Sequence, residues 1–258
     1  LIVDQMQIKL GRSIGKAQLM FLEMLNSNNW ERPMYYAVTV GGDNYFGLNP
    51  YFQLEGLAYR IAPIRAKADN NGQVGRVDTE KMYDKVMNKF RWGFYNKPGI
   101  YLDENKTRMA SNLRNNLSRL AIAFIEESYQ TNDTVLAIDK LNKAVAVLDK
   151  IQYELPDDII PHNYFSLFLA NGYYLADQPE KADDILVKFA DENMKELNFY
   201  LSLSEPRMMA VLSDIQRNLA IYSEILKTAK GFDRTELTDK LDAEYNQLLE
   251  KAEFAFYK

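Results

Sequence analysis

From Glu104 almost to the C-terminus, apolar residues recur every three or four positions, and so long a stretch of that period can bury itself only by packing helix against helix. Met109, Leu113, Leu117, Leu120, Ala121, Phe124 and Ile125 form one apolar stripe. Leu136, Ile138, Leu141, Ala144, Val145 and Leu148 form a second, ended by Pro156, which cannot continue a helix. The short turn at residues 131–133 predicts that these two helices lie antiparallel. A second pair is expected at residues 164–177 and 180–193. Two looser helices, at 205–230 and 235–257, are separated by a stop at Gly231 and are expected to cap the array.

The wording of the second pair, L-A-N-G-Y-Y-L-A-D-Q-P-E-K-A-D-D-I-L, resembles a tetratricopeptide repeat. In such repeats a small residue and an aromatic on the first helix meet an Ala on the second, because close crossing leaves room only for small side chains. Ala170, Tyr174 and Ala182 would take those places, and Ala121, Phe124 and Ala137 in the earlier pair. The Trp and Gly of a full motif are missing, and Ala137 and Ala182 stand further apart than the repeat's ~34 residues.

The first part of the chain has a different period. Met6, Ile8 and Leu10 alternate with polar residues and predict a strand over 2–10. Ala17, Met20, Phe21, Met24 and Leu25 predict a helix over 15–26, halted by the run Asn26-Ser27-Asn28-Asn29. The aromatic and β-branched stretch 34–40 predicts a second strand, and 57–64 a third. A strand, helix and strand of these lengths suit a crossover unit. The Gly-containing polar segment 65–77 reads as a loop, after which Asp78 or Thr79 caps a helix carrying Met82, Val86, Met87 and Phe90 on one face. The expected fold is therefore mainly α with a small N-terminal α/β (strand-helix-strand) piece, divided into residues 1–77 and a helical array over 78–258.

Composition narrows the function. With 31 Lys and Arg interspersed among 36 Asp and Glu, the net charge is -5, and no basic cluster stands ready to neutralise phosphates, so nucleic acid is not an expected partner. The absence of cysteine removes thiolate chemistry and Cys-bound zinc, and a single His162 removes multi-histidine metal sites. No metal and no cofactor are expected. Apolar runs fall far short of the ~20 residues that cross a bilayer. The chain begins at Leu1 without a leader pattern and reads as a piece of a longer protein.

No catalytic constellation emerges. Asp43, Glu55 and Asp103 are carboxylates that an acid–base pair would need, but acidic residues are common and read better as solvated or salt-bridged groups. His162 lacks a triad order and reads as a local hydrogen-bonding group. Gly41, Gly42 and Gly47 match no phosphate-loop spacing and read as a turn. The most informative cluster is aromatic and charged: Trp30, Arg32, Tyr35, Tyr51, Glu55, Tyr59 and Arg60 form a candidate recognition surface, since aromatic faces bind sugars or peptides and Arg binds carboxylate or phosphate. The alternative is that these residues seal the sheet, with the arginines paired to Glu31 or Glu55.

At these residues the chain resembles large bacterial membrane proteins of unknown function related to protein O-mannosyltransferases, which have a multi-span N-terminal half and a C-terminal tail outside the membrane. The matching stretches are N-N-W-E-R-P-M-Y-Y-A-V-T-V (28–40), Y-F-Q-L-E-G-L-A-Y-R-I-A-P-I (51–64), Y-L-D-E-N (101–105), M-A-S-N-L-R-N-N-L-S-R-L-A (109–121) and I-P-H-N-Y-F (160–165). The resemblance implies an extracytoplasmic, periplasmic domain tethered to the inner membrane. It implies an accessory role, with no catalytic residue of its own, whose partners are a protein or peptide and the membrane half of its parent chain. An alternative implication is that the N-terminal piece completes a sugar-transfer site of the intact enzyme.

Overall fold

A computed structural model describes residues 2–11, 13–66 and 73–256, and side chains as far as Ala252. The chain is mainly α-helical, with a small four-stranded sheet near the N-terminus, and it divides into two compact units, Leu1–Arg91 and Trp92–Lys258.

In the first unit, helix α1 (Lys16–Ser27) precedes strands β1 (Tyr35–Ala37), β2 (Phe52–Leu54), β3 (Ala58–Ile61) and β4 (Arg76–Val77), and α2 (Thr79–Asp84) runs on into a π turn, Lys85–Lys89. The sheet order is β1-β3-β2-β4, antiparallel except for the parallel β2–β4 pair. Strand alternation sorts the side chains. Tyr36, Tyr59, Phe52, Leu54 and Ile61 are buried on one face. There Phe52 stacks on Tyr59 with ring centroids 5.4 Å apart, and Tyr45 meets Phe52 edge-on at 5.0 Å. Phe21 of α1 joins this aromatic core against Tyr36 at 5.1 Å.

Four expectations for this unit need correction. Residues 2–10 do not form a strand: Ile2 makes a single bridge to Ile64, and Ile8 and Leu10 are exposed. The alternating pattern there finds isolated backbone bonds, Val3 N–H to the Pro63 carbonyl and Lys9 N–H to the Phe46 carbonyl, and among the described residues no strand precedes α1 to make a crossover. The expected face of α1 is wrong in part, because Ala17, Met20 and Met24 are exposed while Phe21 and Leu25 are half-buried. Within the expected loop 65–77, Arg76 and Val77 pair with Gln53 and Leu54; positions 67–72 lie outside the described residues. The Asp78 carboxylate caps α2, accepting the Lys81 N–H at 3.3 Å, and this helix belongs with the sheet in the first unit rather than with the array. The β2–β3 turn needs Gly56, whose φ is +100° and whose Cβ, if present, would lie 2.8 Å from the Phe90 ring.

The second unit is built of α3 (Glu104–Gln130), α4 (Thr134–Glu154), α5 (Ser166–Leu175), α6 (Pro179–Leu201), α7 (Glu205–Ala210), α8 (Leu212–Gly231) and α9 (Thr235–Phe256). Asp103 and Asp133 cap α3 and α4 through their side chains. Helix α3 packs on α4 and α5 on α6 as hairpins, with α3 also against α5, and α8 and α9 against α6. Ala121, Phe124, Ala170, Tyr174 and Ala182 are buried at the hairpin crossings, while Ala137 is only half-buried. Gly172 permits the closest approach, since a Cβ there would sit 2.8 Å from a Leu148 methyl. The buried face of α4 is Ala144, Val147, Leu148 and Ile151; Leu136 and Ile138, expected inside, are exposed near its first turns. The helix expected over 205–230 is interrupted at Val211, which has φ −110° and ψ 16°, separating α7 from α8.

One charged group holds the segment between the hairpins. Arg114 is 1% exposed, and its guanidinium donates to the carbonyls of Leu155 (3.2 Å), Ile160 (2.7 Å) and Pro161 (3.1 Å) and to Ser166 Oγ (3.2 Å). Burial pushes its pKa down to about 10, partly offset by Asp157 and Glu192. His162 sits beside it, with Nδ1 3.0 Å from Ser166 Oγ and its backbone N–H donating to Glu192 Oε2 at 3.0 Å. Burial, and then the positive Arg114, pull the imidazole pKa down to about 4.

Arg114→Leu is expected to cost about 3 kcal/mol in urea unfolding at pH 7, because buried carbonyls lose a charged donor. His162 is neutral when folded and takes up a proton when unfolded below its ordinary pKa of 6.5. Its contribution is therefore present above pH 6.5 and is lost as the pH falls toward 4, reaching about 3 kcal/mol in full. The stability difference between the native chain and His162→Gln, measured at pH 7 and again at pH 5, should narrow on acidification. A difference that stays constant would overturn this reading.

Candidate functional site

The second face of the sheet carries a polar row. Cross-strand register sets Tyr35 beside Arg60, Arg60 beside Gln53 and Gln53 beside Arg76, so one side chain from each strand lines up across β1-β3-β2-β4. Glu55, two residues beyond Gln53, rises on the same face at the start of the β2–β3 turn.

Glu55 is the centre of this arrangement, with its side chain only 2% exposed. Lys85 from the π turn donates to Oε2 at 2.5 Å, Tyr35 O–H donates to Oε2 at 3.2 Å, and Gln53 Nε2 donates to Oε1 at 2.9 Å. Arg60 lies 3.6 Å from Oε1 and remains 37% exposed at its side chain. The Gln53 amide also donates to Asp78 Oδ2 at 2.7 Å and accepts from Arg76 through its carbonyl oxygen. Asp78, the cap of α2, thus ties that helix to the polar row. Burial pulls the Glu55 carboxyl up, but the hydrogen bond and charge of Lys85, with Tyr35 and Gln53, outweigh it and hold the pKa below the ordinary carboxylate range. Glu55 is ionised at neutral pH, which suits it to organising cations and does not suit it to donating a proton.

The seven residues expected to form a recognition surface fall into three places. Tyr35, Glu55 and Arg60 share the polar face, with Tyr35 and Arg60 at its accessible rim. Tyr51 and Tyr59 are 6% and 7% exposed and belong to the interior, so neither offers a face to a ligand; Tyr51 ends the 3₁₀ turn before β2, where its hydroxyl accepts the Gln7 N–H at 3.4 Å, and Tyr59 lies on the buried face of β3. Trp30 and Arg32 are exposed on the turn after α1, where Trp30 adopts φ +62°, a left-handed backbone that costs a bulky residue about 1 kcal/mol. That turn leads directly into Tyr35. Sequence reasoning missed Gln53, Arg76 and Lys85. The amphipathic alternation of 52–54 was a signal for Gln53, whereas Lys85 arrives from a helix and was legible only in three dimensions. Asp43 and Asp103, weighed as catalytic partners of Glu55, take no part: Asp43 opens a 3₁₀ turn and Asp103 caps α3. Among the described residues no group of three or more His, Asp and Glu is placed to hold a metal, and no helix is long and apolar enough to cross a membrane.

Glu55→Gln keeps the shape but removes the charge that Lys85 and Arg60 face. It is expected to cost about 2 kcal/mol at pH 7 by denaturant unfolding. Because the folded pKa is depressed, the native advantage is present above the ordinary carboxylate pKa of 4.5 and is lost as pH falls through the folded value. The two proteins should therefore converge in acid.

Residues 1–81, which carry most of this polar face, match the family model described as TMEM260-associated domain 2. This match is consistent with the resemblance to membrane proteins related to O-mannosyltransferases. No curated protein and no solved structure matches the chain.

Proposed function

We propose that this chain is a non-catalytic accessory domain of a glycosyltransferase-like membrane protein, on the extracytoplasmic (periplasmic) side, which recognises a protein or peptide and docks with the membrane half of its own parent. The observation that carries the reading is the coincidence of the TMEM260-associated match over residues 1–81 with a polar face on which the half-exposed Arg60 and exposed Tyr35 stand around an ionised, fully engaged Glu55. Such a face offers fixed positive charge and an aromatic rim. Those are the features that take up an acidic or carbohydrate-bearing segment. The helical hairpins of the second unit support a scaffolding role by analogy with other helical repeats.

A second reading is favoured by Arg60 itself. In the intact protein its exposed guanidinium would contact donor phosphate or acceptor at a sugar-transfer site, with Glu55 holding it in position. The two readings separate with one variant. Arg60→Ala is expected to leave the melting temperature of the chain within about 2 °C, since the pair is half-exposed. It is expected to weaken binding of acceptor peptides about tenfold, measured by fluorescence anisotropy. Unchanged peptide binding together with a loss of transfer in the intact protein would favour the second reading, and a joint fall of melting temperature and binding would make Arg60 structural.

A further inference from the structure

Helix α1 is built unlike the other helices. Seven of its 12 residues are apolar, its only charges are Lys16 and Glu23, and among the described α-helices it alone buries no side chain. One side is anchored, where Phe21 meets Tyr36 at 5.1 Å and stacks on Phe46 at 5.5 Å. The Gln18 side chain accepts the Gly15 N–H at 2.6 Å and closes the first turn, so the helix is held in shape without any cover over its outer side. That side is bare. Ala17, Met20 and Met24 follow one another at helical spacing as a single stripe; Met20 and Met24 are each 57% exposed, and Leu19 beside them is 55% exposed. Leu10 and Ile14 before the helix and Trp30 after it are exposed as well.

An apolar stretch of about 10–14 residues is ordinarily a core helix or one that lies at a membrane interface. The lack of burial removes the first, and at about 18 Å long α1 is too short to cross a bilayer. Charge then decides what covers the stripe. Between Gln5 and Leu22 the sequence carries Lys9, Arg12 and Lys16 and neither Asp nor Glu, a local charge of +3 in a chain whose net charge is -5. A second copy of the chain, paired symmetrically through this stripe, would set the same cations against one another, whereas anionic headgroups attract them. A bilayer also needs no preformed groove to receive a convex ridge. We propose that α1 lies in the plane of a bilayer surface bearing anionic phospholipid, with Met20 and Met24 inserted at the acyl boundary, Lys9 and Lys16 among the headgroups and Trp30 at the level between them. The partner is the lipid itself, so the proposal does not rest on peptide recognition at Arg60.

The chain has two tryptophans, and in a Trp92→Phe background Trp30 alone reports on its surroundings. Vesicles of phosphatidylglycerol and phosphatidylcholine in equal parts are expected to shift its emission to the blue and to sediment the chain. Pure phosphatidylcholine vesicles should bind about tenfold more weakly, and added salt should release the chain from the mixed ones. Met20→Ser together with Met24→Ser is expected to weaken vesicle binding about tenfold while the melting temperature stays within about 2 °C, because both side chains already stand in water. Lys16→Gln should weaken it about fivefold. Should the double variant not fold, Lys16→Gln and the salt dependence of the native chain decide. The methionine pair leaves the peptide binding expected of Arg60 unchanged, so the two readings fail separately. No sedimentation with the mixed vesicles, equal binding to both kinds of vesicle, or binding that the methionine pair leaves intact overturns the proposal. A dimer that this pair dissociates, without vesicle binding, also overturns it and assigns the stripe to a second copy.

Discussion

The guanidinium of Arg114 gives up its water for three backbone carbonyls and a serine hydroxyl, and the arrangement of the helical unit depends on that exchange. The segment from Leu155 to Pro161 joins one hairpin to the next. Its carbonyls would be orphaned in the interior without a donor that reaches several at once. A guanidinium presents five N–H groups in a fixed fork, so one side chain on α3 sets the end of α4, the connecting segment and the first turn of α5 together. Small residues then let the helices close: Gly172 admits Leu148, and Ala170 and Ala182 leave no bulk at the α5–α6 crossing. Burying a cation without an adjacent carboxylate is costly, and the lowered pKa of Arg114 and the neutral state of His162 are both expressions of that cost.

The first unit uses the opposite arrangement around a buried anion. Glu55 collects an ammonium, a phenol and an amide in direct hydrogen bonds, with a guanidinium nearby, and the result is a carboxylate locked in its charged form. The two faces of a sheet only a few residues long thus do different work. The aromatic face closes the core, and the polar face is held rigid by cross-linked charges while leaving Arg60 and Tyr35 in reach of solvent. Since each member of the row comes from a different strand, the face exists only if the strand order β1-β3-β2-β4 is correct.

These two sites bear differently on function. Most of the polar face lies in the part of the chain that matches the TMEM260-associated domain, and it combines cations, an aromatic rim and an ionised carboxylate. The Arg114–His162 cavity lies outside that match, in the helical unit.

Much of the helical architecture was legible in the residues, because periodicity, caps and breakers act locally: Asp103 and Asp133 begin α3 and α4 where a capping side chain was needed, and Pro156 follows the end of the hairpin. The strands were legible only where aromatic and β-branched residues clustered, as at Tyr35–Ala37 and Ala58–Ile61. The alternation at residues 2–10 misled, since a period-two pattern specifies a strand only when another backbone offers it a ladder, and there the chain meets single bonds instead. Of the expected surface, Tyr35, Glu55 and Arg60 were brought together, while Tyr59 was turned inward by a strand register that composition does not reveal and Tyr51 was buried at the end of a 3₁₀ turn. Local sequence determined where helices start and stop and which residue types the chain had available. Only the tertiary structure decided that Lys85 meets Glu55 and that Arg114 meets Leu155, Ile160 and Pro161, because each of those contacts joins residues far apart in the chain, and their energy appears only after the backbone between them has been ordered.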